Sequence, residues 1–355
     1  MKPLHIRFYT SDYGYGHAAR DIALIRRLHR DLGAEVSVRT EYPAAFMERS
    51  LPGVPVTRGE NDIGVVMQNV SVDAAATEER LRAWIQSWES YVAAEERICR
   101  EQGVDLIISD IAPQPFLVAD DLGIPGIALS NFSWHLIYTH LFGTTPETER
   151  IREAYRCATG ALVLPLHEEM GVFRERRETG LLCREVTRNR KEMRRRFGLS
   201  DDDLLVYLGT GWSVEAFPGG IGELVRQGAT VLVSSNRACG ETGVIHIPQD
   251  ETETQDYIAM CDLVVTKPGY STVSEAMCAR VPMLLYRRER FAEDEFIIDP
   301  IEKMGVGRAL SWQDFQTREW TDDLDTLLSL KENYTDGTFK RDGAEDCMEY
   351  IRAMV

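Results

Sequence analysis

Short apolar runs alternate with segments of helical periodicity along the whole chain, and that alternation predicts parallel sheets flanked by helices. Residues 4–9 read as a strand, followed by the loop Thr10-Ser11-Asp12-Tyr13-Gly14-Tyr15-Gly16-His17. A helix follows with Ile22, Ile25, Leu28 and Leu32 on its apolar side and Gly33 as its stop. Val36 and Val38 open the next strand, which completes a strand-helix-strand unit with a right-handed crossover. Residues 73–102 predict a helix whose Leu81, Trp84, Ile85, Trp88 and Val92 make one core-facing stripe. Strands are expected at 104–108, ending in Ser109-Asp110, at 125–129, ending in Ser130-Asn131, and at 161–165. In parallel sheets ligands bind beyond the carboxyl ends of strands, so these endings and the Gly14-Gly16 loop are expected to converge on one crevice.

The same grammar restarts later. Strands are expected at 204–208, 230–233, 244–247, 264–266 and 282–286, with helices at 221–227 and 257–260. The fold class is therefore α/β: two Rossmann-like, doubly wound domains facing across a cleft. The expected divisions are residues 1–165, a charged linker at 166–200, a second domain at 201–340 and a terminal helix at 341–355. Within the linker, the basic run at 188–196 reads as the solvated face of a helix, with Met193 and Phe197 as an apolar i, i+4 pair.

One stretch concentrates chemistry. Val264-Val265-Thr266-Lys267-Pro268-Gly269-Tyr270-Ser271-Thr272-Val273-Ser274-Glu275 reads as a buried strand, a glycine turn and a helix start. The unpartnered N–H groups and the dipole of a helix N-terminus suit a phosphate, and Gly269 would admit it close to the main chain. Glu275, one turn in, could accept both hydroxyls of a ribose. A second reading needs no ligand: Thr272 and Glu275 have the spacing of a capping box.

Gly14-Tyr15-Gly16-His17-Ala18-Ala19 fits the relaxed dinucleotide fingerprint, with Glu35 or Glu41 as the ribose acid of an NAD-dependent oxidoreductase. A histidine directly after the second glycine would crowd a pyrophosphate. His17 is better suited to take a proton from an acceptor hydroxyl, with Asp110 orienting its ring, or else it is a packing residue.

Composition narrows the field. The 355 residues carry a formal charge of -17, which disfavours nucleic acid or anionic lipid as a partner. Seven cysteines without close pairing point to a reducing compartment, so a cytoplasmic location is expected. No apolar run is long enough to span a bilayer. Asp120-Asp121 and Asp201-Asp202-Asp203 fall away from strand carboxyl ends, so no obligatory metal or bound cofactor is expected. Lys267 or Arg237 would help to neutralise phosphates, and there is no Walker-type loop.

Together, Gly14-Tyr15-Gly16-His17, Gly209-Thr210-Gly211 and Thr266-Lys267-Pro268-Gly269-Tyr270-Ser271-Thr272 with Glu275 resemble the GT-B glycosyltransferases. The pattern is similar to the peptidoglycan N-acetylglucosaminyltransferase and the UDP-glycosyltransferases. Residues 105–113 and 131–138 resemble the glycosyltransferase-like amino-terminal region of plant arabinose kinases. The resemblance implies that Gly269, Ser271 and Thr272 hold a diphosphate and that Glu275 binds the ribose. It also implies that Ile245 and Ile247 flank the base, and that Glu293 and Asp294 contact donor-sugar hydroxyls. The usual glutamine-containing sugar signature is replaced here by the run at 287–295, rich in Arg and Glu. The implied activity is metal-independent transfer of a sugar from a nucleoside diphosphate, with UDP expected, to an acceptor the sequence does not identify. A nucleotide-sugar epimerase or hydrolase and a non-catalytic nucleotide-sugar sensor remain alternatives on the same fold. Sugar phosphorylation is not expected.

Overall fold

The computed structural model describes residues 2–68, 70–209, 220–234, 242–337, 339–340 and 342–354. In chain order the strands are β1 (His5–Tyr9), β2 (Glu35–Arg39), β3 (Val56–Thr57), β4 (Met67–Gln68), β5 (Ser71–Val72), β6 (Leu106–Ser109), β7 (Gly126–Ser130) and β8 (Gly160–Val163). They continue as β9 (Arg176–Glu178), β10 (Leu205–Gly209), β11 (Thr230–Ser234), β12 (Val244–His246), β13 (Leu263–Thr266), β14 (Met283–Tyr286) and β15 (Gly307–Leu310). Two compact units result. The first is Met1–Val66, Val72–Leu182 and Lys340–Val355, and the second is Met67–Ser71 with Cys183–Phe339.

The first unit is built on a parallel sheet in the order β3-β2-β1-β6-β7-β8-β9, the second on a parallel sheet in the order β12-β11-β10-β13-β14-β15. Each is a doubly wound sheet whose order reverses beside its first strand. The central strands β6, β7, β10 and β13 are buried at every position. That is why their sequences run as continuous apolar stretches rather than alternating. The reversal leaves a crevice at the carboxyl ends of β1 and β6 in one sheet and of β10 and β13 in the other. Topology thereby selects two short segments per unit as candidate ligand contacts.

The predicted core helix is Ala74–Gln102, capped by Asp73 and stopped by Gly103 in the left-handed region. It buries Leu81, Trp84 and Trp88, and the two indoles meet edge to face with centroids 5.0 Å apart. Its Glu95 accepts from Arg7 at 2.9 Å and from the Tyr9 hydroxyl at 2.9 Å, so a buried ion pair ties helix to sheet. Among the described residues no helix is long and apolar enough to cross a membrane.

Two boundaries differ from the expected ones. The division at 182/183 falls within the 166–200 stretch, and the terminal helix Gly343–Met354 belongs to the first unit. Leu181 N donates to Lys340 O at 2.8 Å, Gly343 N donates to Leu181 O at 2.9 Å, and Arg27 pairs with Asp342 and Glu345. A Cβ on Gly343 would run into the Gly180 carbonyl, so this contact requires glycine.

The basic run is not simply a solvated face. Arg194 is fully buried: its Nε donates to Ser200 O at 2.9 Å and its Nη1 to Met260 O at 2.6 Å, while Nη2 reaches Asp203 O. Arg190 donates to Cys261 O at 2.7 Å and pairs with Asp262 at 2.6 Å. These guanidinium groups donate to carbonyls at loop ends, the buried Met260 carbonyl among them. Arg194→Ala should destabilise the second unit by about 2–4 kcal/mol in urea unfolding, because it removes a buried guanidinium that holds three carbonyls and deprives the buried Met260 carbonyl of that donor. The exposed neighbour Arg195→Ala should stay within about 0.5 kcal/mol of the parent.

Candidate functional site

In the first unit, β1 leads through Gly14 into the helix Tyr15–Leu32. Gly14 has φ 93° and ψ 178°, a conformation essentially reserved for glycine, and no side chain caps this helix start. The first helical turn brings His17 over the end of β6. His17 Nδ1 lies 2.9 Å from Asp110 Oδ1 and 2.8 Å from Arg20 Nη2. Arg20 Nε donates to Asp110 Oδ2 at 2.7 Å, and its Nη1 donates to Asn131 Oδ1, beyond β7, at 2.8 Å. All four side chains are buried.

Burial alone would raise the Asp110 pKa, but the Arg20 charge, and after it the imidazole, outweigh burial and hold the carboxyl at about 2. Asp110 is thus ionised throughout the physiological range. An Nδ1–H donated to Asp110 leaves Nε2 as a free base; an Nδ1 that accepts from Arg20 puts the proton on Nε2. The dyad of His17 and Asp110 expected from sequence is brought together, and Arg20 joins it as the residue sequence reasoning missed. Its signal was available, since Arg20 is three residues beyond His17 and so on the same helix face. Asp21 is the quieter neighbour. Thr10 Oγ1 donates to its Oδ2 at 2.6 Å, while burial, then the Asp110 charge, push its pKa well above the usual carboxylate range.

The fingerprint reading loses one of its two acids. Glu35 opens β2 at its amino end, whereas a ribose acid must stand at the carboxyl end, where Glu41 follows the strand.

In the second unit, β13 runs through Lys267-Pro268-Gly269 into the helix Tyr270–Ala279. Gly269 is its N-cap residue, with no side-chain cap and no acid in the first turn. The capping-box reading fails here, because the helix starts two residues before Thr272 and the Glu275 carboxylate goes elsewhere. Arg184 donates to Glu275 Oε1 through Nε at 2.9 Å and Nη2 at 2.8 Å, and Nη2 also reaches Thr254 Oγ1 at 2.8 Å. Both donors fall on Oε1. Among the described residues Oε2 accepts nothing. Burial raises the Glu275 pKa, and the Arg184 charge opposes it. Arg184 could not have been found from sequence, since it is 91 residues away with no local pattern.

Gly269 itself has φ -102°, and a Cβ there would find its nearest neighbour, Lys267 Cε, at 3.9 Å. Neither backbone conformation nor packing requires glycine at 269, which leaves room above the turn for a ligand. Lys267 is partly buried, and burial followed by the Arg288 charge lowers its pKa to about 8. Ser271 is buried and Thr272 half-buried in the first turn, behind a buried Tyr270. Gly209 closes β10, and the Thr266 hydroxyl donates to its carbonyl at 3.0 Å. Thr210, Gly211 and Arg237 lie outside the described residues. Ile245 is half-buried in the edge strand β12 and Ile247 is buried just past it.

Glu293 and Asp294 are both turned to Arg288. Asp294 accepts from the Arg288 backbone N at 2.6 Å and from its Nε at 2.8 Å, and Glu293 accepts from Nη2 at 3.1 Å. The same Nη2 donates to Pro268 O at 3.3 Å. These carboxylates thereby shape the turn before Gly269 through Arg288. Among the described residues no group of three or more His, Cys, Asp or Glu gathers as a metal-ligand set.

Comparison with known proteins follows the same lines. No family profile matches the chain. It is 27% identical to an L-arabinokinase of Arabidopsis thaliana over 95% of its own length, and spans 33% of that relative. Among solved structures, the calicheamicin glycosyltransferase CalG4 superposes with a TM-score of 0.72 at 14% identity, covering 100% of this chain and 98% of that one. A Medicago truncatula glycosyltransferase solved with UDP-glucose gives 0.68 at 14% identity, covering 99% and 98%. SnogD from Streptomyces nogalater, also a glycosyltransferase, gives 0.66 at 15% identity, covering 100% of both chains. With two doubly wound parallel sheets and agreement with these structures over its whole length, the chain has the GT-B glycosyltransferase fold.

Proposed function

We propose that the protein is a glycosyltransferase that takes a sugar from a UDP-linked donor and passes it to an acceptor hydroxyl without a metal ion. The observation that carries the reading is the pairing of a helix start without a side-chain cap or first-turn acid, after Gly269, with a carboxylate one turn on that Arg184 holds by one oxygen. The diphosphate would sit on the N–H groups of Tyr270, Ser271 and Thr272, assisted by Lys267. Arg184 fixes Glu275 by one oxygen and leaves Oε2 to accept from the ribose. Ile245 and Ile247 would flank the base. In the first unit, Asp110 would orient His17 as general base for the acceptor hydroxyl, and Arg20 keeps Asp110 ionised. Asp294 would act through Arg288 on the turn rather than on the sugar. The name of the Arabidopsis relative argues for including pentose-bearing nucleotide sugars in the donor panel.

A binder without turnover is the second reading. It is favoured by the Arg20 guanidinium, which contacts the same His17 Nδ1 that a catalytic dyad would reserve for Asp110.

Glu275→Ala should weaken UDP binding about tenfold or more in calorimetry, the cost of a charged hydrogen bond, and leave inorganic pyrophosphate binding nearly unchanged. Equal losses for both ligands would count against the ribose role. His17→Ala should lower glycosyl transfer by about 100-fold or more, followed by mass spectrometry of products from a UDP-sugar panel, while UDP affinity holds. Unaltered turnover in that variant would remove His17 from the chemistry, and no turnover by either protein across donors and acceptors would favour the binder.

Lys267 gives a pH signature whose sign can be worked out. Its pKa of about 8 in the free protein should rise when a diphosphate arrives, so binding takes up a proton only above pH 8. UDP affinity should be flat below that pH and fall by up to about tenfold per unit above it, a slope that Lys267→Met should abolish.

A further inference from the structure

The cysteine count and spacing suggested seven unrelated thiols, but the fold brings two of them together. Cys183 Sγ donates to Cys278 Sγ at 3.0 Å, across 95 residues of sequence, and both side chains are half-buried within the second unit. The other described cysteines have no such partner: Cys99 meets the Tyr9 hydroxyl, Cys157 the Glu153 carbonyl and Cys261 the Tyr257 carbonyl, while Cys347 is buried. At that separation the two sulfurs are about 1 Å farther apart than in a disulfide bond.

We propose that Cys183 and Cys278 form a reversible dithiol–disulfide pair, an oxidative modification site that takes a low-molecular-weight disulfide such as oxidised glutathione as its oxidant. Its place gives it a consequence. Cys183 precedes Arg184, and Cys278 lies three residues past Glu275 on the same helix, so the bond would fasten both partners of the Arg184–Glu275 ion pair. The bond itself assumes nothing about nucleotide binding.

The chemistry is a two-step exchange. A hydrogen bond from Cys183 to the Cys278 sulfur favours the thiolate on Cys278, which makes Cys278 the attacking group. Its thiolate bonds to one sulfur of oxidised glutathione, breaks that S–S bond and releases one glutathione thiolate. Cys183 then loses its proton and attacks the Cys278 sulfur of the mixed disulfide, expelling the second glutathione. Two protein thiols are oxidised, and one glutathione disulfide is reduced to two thiols. The hydrogen bond with Cys278, and burial after it, hold the Cys183 proton tightly, so the second step should be the slow one.

The test is incubation of the full chain with oxidised glutathione, thiol titration after unfolding, and peptide mapping without reductant. The expected result is a fall of two from the seven thiols, a peptide joining Cys183 to Cys278, and recovery with dithiothreitol. In Cys183→Ser the resolving thiol is gone, so glutathione should remain on Cys278. An unchanged thiol count, a lasting glutathione adduct on Cys278 in the parent chain, or a linkage to any other cysteine would overturn the proposal.

Discussion

The site in the second unit depends on a helix whose N-cap residue, Gly269, has no side chain to offer it. Where β13 ends, Gly269 contributes no side chain to cap the helix, and the first turn of Tyr270–Ala279 holds no acid to compete with an anion. A helix N-terminus stabilises an anion by about 0.3–1 kcal/mol at an exposed site and by up to about 2 kcal/mol when partly enclosed. That is modest, so affinity for a nucleotide must come from several such terms held in register. Arg288 supplies the register. It grips Asp294 and Glu293 on one side and the Pro268 carbonyl on the other, with its guanidinium 4.0 Å from the centre of the Phe291 ring. Arg184 does the same for Glu275.

Both units apply one design to charge. In the first, Arg20 lies against Asp110; in the second, Arg184 lies against Glu275; in each, a buried guanidinium fixes a buried carboxylate while a further polar atom stays near the crevice. A carboxylate buried without a cation against it is pushed toward its neutral form, as burial and then the Asp110 charge push the Asp21 pKa up. Arg20 thereby holds Asp110 ionised, and the Arg184 charge opposes the upward pull of burial on Glu275. The cost of desolvating these pairs is offset by hydrogen bonds to Asn131, Thr254 and the Thr252 carbonyl.

The sheets were legible in the sequence because strands buried on both faces must be continuous apolar runs, as at 106–108 and 263–265. The turn at Gly269 was legible for a related reason, since a strand, a glycine and a helix start are all local signals. Arg184, Arg288 and the Cys183–Cys278 pair were not. Their partners are set by tertiary packing, and a side chain's role as a clamp leaves no mark at short range; Arg288 shows this even at close spacing, where its acids read as sugar ligands. Gly14 and Gly269 illustrate the limit as well. Both read as loop glycines, yet the first is needed for its positive φ and the second is required by neither conformation nor neighbours.

The central claim is that the open helix start after Gly269 seats a nucleoside diphosphate, and a crystal structure of the protein with UDP tests it most directly. The account predicts phosphate oxygens within hydrogen-bond distance of the Tyr270, Ser271 or Thr272 N–H groups, with a ribose hydroxyl on Glu275 Oε2. UDP bound instead at the Gly14 loop, or with its ribose away from Glu275, would contradict it.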